Sequence, residues 1–143
     1  MKQIAVVYWS GTGNTEAMAA AVAEGARAAG AEAKLLTASE FSAAELAGYD
    51  AVAFGCPAMG AEQLEEDEFE PMFAACEPAL TGKAIALFGS YGWGDGEWMR
   101  NWADRVKAAG AALLGDEGYT ANEAPTDDDL AKLKALGAEL AGA

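Results

Sequence analysis

The amino-acid sequence predicts an α/β fold with a doubly wound, five-stranded parallel sheet. Short apolar runs alternate with helix-length segments along its 143 residues. Strands separated by helices of this length need crossover connections, which pair the strands in parallel and cover both faces of the sheet. The hydrophobic content of 52% and the charged content of 22% are ordinary for a globular domain. We therefore expect residues 1–143 to form a single domain.

Five strands are predicted from apolar runs that are bounded by turn residues. They cover residues 3–9, 32–37, 50–55, 84–90 and 111–119. Helical segments lie between and after these strands, and the second segment is only a short turn. The helical segments cover residues 14–29, 42–47, 69–79, 96–109 and 127–141.

Glycines and one capping pattern mark the predicted helix ends. Gly30 and Gly110 follow the first and fourth helices, where a glycine commonly ends a helix. Thr126 precedes the last helix, directly after Pro125, and Asp129 lies three residues further on. This spacing predicts a capping box that places negative charge at the positive end of the helix dipole.

Acidic residues dominate the charge of the chain. Its 23 Asp and Glu residues against 9 Lys and Arg residues give a net charge of -14. This charge repels nucleic acid and anionic lipid, and it favours partners with a basic docking surface. No apolar run approaches the ~18 residues that would span a bilayer. Because the run at residues 4–9 is not followed by a signal-peptide cleavage pattern, we expect a cytoplasmic protein that binds neither nucleic acid nor membrane.

The sequence contains two cysteines, Cys56 and Cys76, and no histidine. The cysteines show no C-x-x-C pattern, which leaves no ligand set typical of zinc or of an iron–sulfur cluster. The lack of histidine excludes a Ser-His-Asp or Cys-His catalytic unit. We expect both cysteines to be buried free thiols, and we expect neither a metal site nor a catalytic residue.

The loop after the first strand has the composition of a phosphate-binding site. Hydroxyl and amide side chains can donate to an anion, and glycines let backbone N–H groups turn toward it at a helix N-terminus. The loop lacks the GxxxxGK[ST] motif, and Glu16 occupies the place of the third glycine of a dinucleotide-binding motif. A plain strand-to-helix turn is the alternative, although it needs fewer polar side chains. The loop comprises Ser10, Gly11, Thr12, Gly13, Asn14 and Thr15, with no Lys or Arg.

Two further loops carry large side chains among small ones. Residues 55–62 follow the third strand and include Met59, a soft thioether suited to packing on an aromatic ring. Residues 89–96 follow the fourth strand and include Trp93 between two glycines. For each side chain taken alone, ordinary packing in the core or on a neighbouring helix is a strong alternative explanation. Together with the phosphate-binding loop, they predict a site that holds a planar ligand between Met59 and Trp93.

Three stretches of the sequence resemble the flavodoxin family. Residues 8–18 read YWSGTGNTEAM, residues 55–60 read GCPAMG, and residues 88–99 read FGSYGWGDGEWM. The resemblance covers nearly the whole chain and is closest to the short-chain flavodoxins of anaerobic bacteria. It implies the strand order 2-1-3-4-5, with the cofactor FMN bound where the strand order reverses.

The resemblance also implies a role for each site residue. The FMN phosphate is expected among Ser10, Thr12, Asn14 and Thr15, with the amides of Gly11 and Gly13. Met59 and Trp93 are expected to flank the isoalloxazine, beside Pro57 and Ala58. The Gly60 carbonyl is expected to turn toward flavin N5 when that atom gains a proton, and Glu62 to accept a hydrogen bond from N3. The pyrimidine edge is expected to meet the backbone of Ser90, Tyr91, Gly92, Trp93 and Gly94, with a weaker contact from Asn122.

The same resemblance implies that the protein is a low-potential one-electron carrier whose FMN shuttles between the semiquinone and hydroquinone states. An anionic hydroquinone would lie near an uncompensated phosphate and near carboxylates, which lowers the potential of the second electron. The turned Gly60 peptide also requires positive φ at Ala61, where an alanine costs about 1 kcal/mol more than a glycine. The carboxylates concerned are Glu62, Glu65, Glu66, Asp67, Glu68 and Glu70.

Other functions of similar folds fit the sequence less well. An FMN-dependent reductase needs a substrate pocket over the flavin, which a stacked Trp93 would block. A receiver domain needs a phospho-accepting Asp after the third strand, where this chain has Cys56. A small phosphatase needs a C-x5-R motif, which neither cysteine provides. We expect a monomer whose partners are reductases and electron acceptors with basic docking surfaces.

Overall fold

A computed structural model shows a parallel sheet between two layers of helices. The structure describes residues 2–11, 13–59, 63–92, 94 and 96–143. The strands are β1 (Gln3–Tyr8), β2 (Glu32–Thr37), β3 (Ala51–Gly55), β4 (Ala84–Tyr91), β5 (Ala112–Leu113) and β6 (Tyr119–Asn122). The helices are α1 (Asn14–Ala28), α2 (Ala43–Leu46), α3 (Phe69–Cys76), α4 (Glu97–Ala108) and α5 (Asp127–Gly142).

The strand order is β2-β1-β3-β4-β5, and every pairing between these strands is parallel. β6 also pairs with β4 in parallel, further along that strand. The sheet therefore has five positions, and the fifth is shared by β5 and β6. The predicted fold class and the predicted order 2-1-3-4-5 are confirmed.

The prediction of one continuous fifth strand at residues 111–119 is wrong. β5 is only two residues long, a 3-10 turn occupies Leu114–Asp116, and the strand resumes as β6. Gly115 has φ 77°, a left-handed backbone conformation that interrupts the strand between β5 and β6. A Cβ at Gly118 would lie 2.1 Å from Met99 Sδ, so the chain passes closely under α4 at this point.

The other predicted elements agree with the structure. Gly30 and Gly110 follow α1 and α4 with φ 95° and φ 85°. The capping box of α5 is formed, because Thr126 Oγ1 accepts from Asp129 N at 3.1 Å and Asp129 Oδ2 accepts from Thr126 N at 2.9 Å. The predicted segment 42–47 is the short helix α2. The predicted segment 69–79 is α3 followed by a 3-10 turn.

The two faces of the sheet are covered in different ways. On one face, Phe54 packs edge-on against Phe73 with ring centroids 5.1 Å apart, within a larger aromatic cluster. On the other face, α1 and α5 approach so closely that a Cβ at Gly25 or at Gly137 would collide with the opposite backbone. The described part of the chain contains no helix that is long and apolar enough to cross a membrane.

Both cysteines are free and buried, as predicted. Burial raises the pKa of the Cys56 thiol to about 12 and that of the Cys76 thiol to about 11. Both groups are therefore neutral thiols near neutral pH, which makes them poor nucleophiles.

Candidate functional site

Three loops meet at one cavity beyond the carboxyl ends of β1, β3 and β4. In open parallel sheets, ligands bind at this edge, where the strand order reverses. The cavity has a volume of about 270 Å³. The described residues that line it are Trp9, Gly11, Asn14, Pro57, Ala58, Met59, Ser90, Tyr91, Gly92 and Glu123.

The first loop presents the N-terminus of α1 to the cavity. Gly13 is the N-cap residue, has φ 95° and offers no side chain as a cap. Ser10 Oγ accepts from Gly13 N at 3.0 Å and from Glu16 N at 3.3 Å, so this hydroxyl fixes the curvature of the loop. Asn14, the first residue of the helix, lines the cavity. The positive end of the helix dipole is therefore available to an anion.

Two buried hydroxyl groups connect this loop to β4. Thr15 Oγ1 lies 3.2 Å from Ser90 Oγ, and the two residues are only 1% and 5% exposed. Each hydroxyl has one donor and two acceptor positions. This contact leaves hydrogen-bonding capacity for a ligand at the junction of the two loops.

The loop after β3 is held against β4. Ala58 N donates to Ser90 O at 3.0 Å, and Trp98 Nε1 donates to Cys56 O at 3.1 Å. Met59 and Gln63 form an antiparallel pair whose two N–H···O distances are 2.8 and 3.0 Å. This pair brings Gln63 next to Met59, which forms an apolar wall of the cavity together with Pro57 and Ala58.

A buried carboxylate organises the chain between this loop and α3. Glu65 is 6% exposed and accepts hydrogen bonds from the backbone N–H groups of Asp67, Glu68 and Phe69 at 2.8 to 2.9 Å. Burial raises the pKa of the Glu65 carboxyl, but these three donors outweigh it and hold that pKa below the usual value. The sequence alone assigns Glu65 no role beyond that of one of six carboxylates expected near the flavin. Glu65 precedes Phe69, the first residue of α3, by four residues. This spacing is the feature of the sequence that could have indicated a capping role.

The loop after β4 is supported from the end of β6. Asn122 Nδ2 donates to Tyr91 O at 3.4 Å, and Glu123 N donates to the same oxygen at 2.7 Å. The predicted residue Asn122 therefore supports the loop without lining the cavity. Glu123 does line the cavity and was not predicted. Its φ of 58°, uncommon for a residue with a side chain, holds the chain in this turn.

Eight of the seventeen predicted site residues line this cavity, namely Gly11, Asn14, Pro57, Ala58, Met59, Ser90, Tyr91 and Gly92. Ser10, Gly13 and Thr15 lie in the same loop as Gly11 and Asn14. Gly94 has φ 85° and lies in the same loop as Ser90, Tyr91 and Gly92. The predictions for Thr12, Gly60, Glu62 and Trp93 fall on positions outside the described residues, and the same holds for Ala61. Their roles stay predictions.

The charges around the cavity are negative. None of the described residues that line it is basic, and Glu123 lies at its mouth. Glu16 and Glu68 line a neighbouring cavity on the other side of Trp9. An anion at the start of α1 would therefore be held by neutral dipoles. A helix N-terminus at one end and an apolar wall at the other fit a ligand that combines a phosphate with a flat ring.

A larger cavity, of about 600 Å³, lies elsewhere, along the outer edge of β2. It is lined in part by Gln3, Glu32 and Tyr49 and lies near the amino ends of the strands. None of the three polar loops reaches it. The size of this cavity alone is no reason to place the functional site there.

Comparisons with known proteins match this arrangement. The family model described as "Flavodoxin" matches residues 6–137. A flavodoxin of Megasphaera elsdenii is 44% identical over 134 residues, which are 94% of this chain and 95% of that protein. A flavodoxin of Clostridium beijerinckii is 44% identical over 109 residues, which are 76% and 79% of the two chains. The solution structure of two-electron reduced Megasphaera elsdenii flavodoxin superposes with a TM-score of 0.88 at 41% identity, and it covers 98% of this chain and 99% of that one.

Proposed function

The chain belongs to the flavodoxin family, and we propose that it binds one FMN non-covalently and carries single electrons at low potential between redox proteins. Flavodoxins are flavin-binding electron-transfer proteins rather than enzymes. One observation supports the proposal most strongly. The three loops with the flavodoxin motifs converge on one cavity, which has a helix N-terminus at one end and an apolar wall at the other.

The phosphate end of the proposed site is the first loop. The side chains of Ser10, Thr12, Asn14 and Thr15 and the amides of Gly11 and Gly13 hold the phosphate. A Cβ at Gly11 would lie 3.1 Å from the Trp9 ring, a tight contact, so the glycine allows this part of the loop to lie close against that ring. The positive end of the α1 dipole is the main source of electrostatic attraction for the phosphate.

The ring end of the proposed site lies between the loops after β3 and β4. Met59 and Trp93 flank the isoalloxazine, and Glu62 accepts from ring N3. Backbone N–H groups of the loop from Ser90 to Gly94 meet the pyrimidine edge. The Met59–Gln63 pair holds the ends of the segment that contains Gly60, whose carbonyl accepts a hydrogen bond from N5 when that atom carries a proton. FMN supplies the one-electron chemistry when bound.

The low potential follows from the charges of the site. The second electron places negative charge near Glu123 and near the carboxylates between Glu62 and Glu70. No basic residue is present among the described residues that line the cavity. Coulomb repulsion therefore makes full reduction of the flavin unfavourable and the reduced protein strongly reducing.

The partners of the proposed carrier have basic docking surfaces. The net charge of -14 attracts such surfaces over distances of up to about a Debye length. We propose that the protein acts as a monomer in the cytoplasm, where a reducing environment keeps Cys56 and Cys76 as thiols.

FMN binding is the first test of this function. Apoprotein titrated with FMN should quench flavin fluorescence with a stoichiometry of one FMN per chain. Denaturation should then release all of the flavin, because no covalent bond holds it. A protein that takes up no FMN would overturn the proposed function.

A further inference from the structure

A hydrogen bond links the phosphate loop to the segment that precedes α3. Trp9 Nε1 donates to Glu68 Oε1 at 3.1 Å. Trp9 directly precedes Ser10, the first residue of the phosphate loop. Glu68 directly precedes Phe69, the first residue of α3. The contact therefore joins two of the three loops that form the cavity.

The Trp9 side chain is well placed to influence the phosphate loop. It lines the main cavity on one side and the neighbouring cavity on the other. Its ring packs against the aromatic core, and it lies against Gly11. The backbone of Trp9 is also fixed, because its N–H donates to Gly55 O at 3.0 Å. The hydrogen bond to Glu68 therefore restrains the remaining rotation of the Trp9 side chain.

The backbone of Glu68 is anchored independently of Trp9. Glu68 N donates to the buried Glu65 carboxylate at 2.8 Å, and Glu65 N in turn donates to Cys56 Sγ at 3.4 Å. Cys56 lies at the start of the loop after β3 and is fully buried. The Glu68 carboxylate is therefore presented to Trp9 from a fixed point at the end of the loop after β3.

We propose that Glu68 is a positioning residue for FMN, which holds the Trp9 ring, and through it the phosphate loop, in the geometry that binds the cofactor. This inference rests on the proposed function. Preorganised loops bind a ligand more tightly, since less conformational freedom is lost on binding. Loss of the contact should therefore weaken FMN binding, although neither residue is assigned a direct contact with the phosphate.

A purely electrostatic role of Glu68 predicts the opposite result. Removal of a carboxylate near the site reduces its repulsion of the FMN phosphate, so binding would tighten slightly. The two roles therefore differ in the sign of the effect on FMN affinity, and exposed Glu66 provides a matched control for charge alone.

The test is the FMN dissociation constant of the full chain, measured by flavin fluorescence with four single variants and one double variant. Trp9→Phe removes the donor, and Glu68→Ala removes the acceptor. Each should raise the dissociation constant about threefold to tenfold, the usual worth of one hydrogen bond. Glu68→Gln keeps an acceptor and should bind FMN like the wild type. Glu66→Ala should change the affinity by less than about twofold, because exposed charges interact weakly.

The double variant Trp9→Phe/Glu68→Ala separates the hydrogen bond from lost packing. Its affinity for FMN should equal that of either single variant, because either substitution alone already removes the hydrogen bond between Trp9 and Glu68. Three results would overturn the inference. The first is wild-type FMN affinity in both Trp9→Phe and Glu68→Ala. The second is an equal loss of FMN affinity in Glu68→Gln and Glu68→Ala, and the third is additive losses of affinity in the double variant. The wild-type titration tests the proposed function separately, since FMN uptake by the wild type does not depend on which outcome the variants give.

Discussion

Glu65 shows how one side chain can order a loop that a sequence pattern leaves undefined. Its carboxylate gathers three backbone N–H groups at the start of α3, and it is almost fully buried. The turn from β1 into α1 could be predicted because its glycines and polar side chains form a local motif whose residues are adjacent in sequence. The role of Glu65 could not be predicted from the sequence, because it depends on the backbone of residues 67–69 folding back over the Glu65 side chain.

The stabilising effect of Glu65 should depend on pH. Its folded-state pKa lies below the unfolded value of about 4.3, so the stabilisation is present above that pH and is lost as the pH falls through the folded pKa. Glu65→Gln should be less stable than the wild type at pH 7, and the difference should shrink below about pH 4. Urea unfolding of both proteins across this range measures the difference. Glu66→Gln, a charge-matched control at an exposed position, should be closer to the wild type; an equal loss in both variants would refute the capping role.

Ala61 provides a second prediction at the scale of one residue. The proposed turn of the Gly60 peptide requires positive φ at Ala61, which costs an alanine about 1 kcal/mol relative to glycine. Ala61→Gly should therefore make the turned state easier to reach and increase the separation between the two midpoint potentials. Potentiometric titration of wild type and variant measures that separation. Unchanged potentials in the variant would contradict the prediction.

At the scale of elements, the sequence predicts most of the fold because apolar periodicity and chain-breaking residues are local signals. The start of α5 is an example, since Thr126 and Asp129 cap the helix within a single turn. The fifth strand is the exception. Gly115 and Gly118 break it, and the close passage of Gly118 under Met99 is a tertiary contact that no local pattern contains.

The packing of α1 against α5 leads to a prediction about stability. A Cβ at Gly137 would lie 2.0 Å from Val22 O, so an alanine there forces the two helices apart. Gly137→Ala should lower the free energy of unfolding by about 1 to 3 kcal/mol, as overpacking of a close contact does. Gly142→Ala in the same helix is the control, because no atom lies within 4 Å of its Cβ position. Thermal or urea unfolding compares the two; equal stability would show that the helices adjust without cost.

At the scale of the whole molecule, the parallel sheet and the surface charge act together. The carboxyl ends of the parallel strands bring the three loops to one edge of the sheet. The chain carries a net charge of -14, and Glu16, Glu68 and Glu123 lie near this edge. Under the proposed function, the first feature places the cofactor, and the second favours basic partners and opposes the addition of the second electron.

The surface charge predicts a dependence on ionic strength. Association with a cationic redox protein should be fast at low salt and should slow steeply as salt screens the attraction, since the Debye length falls from ~30 Å at 0.01 M to ~10 Å at 0.1 M. Stopped-flow measurement of electron transfer to a cationic acceptor protein tests this. A neutral small-molecule acceptor is the control and should show little salt dependence. Salt-independent rates with both acceptors would exclude electrostatic docking.

Stepwise anaerobic reduction of the FMN-loaded protein, followed by absorption spectroscopy, tests the central claim most directly. A one-electron carrier should first develop the long-wavelength absorbance of a singly reduced flavin in nearly stoichiometric amount, and lose it only at a much lower potential. Direct bleaching of the flavin in one two-electron step would contradict the account and would favour a reductase.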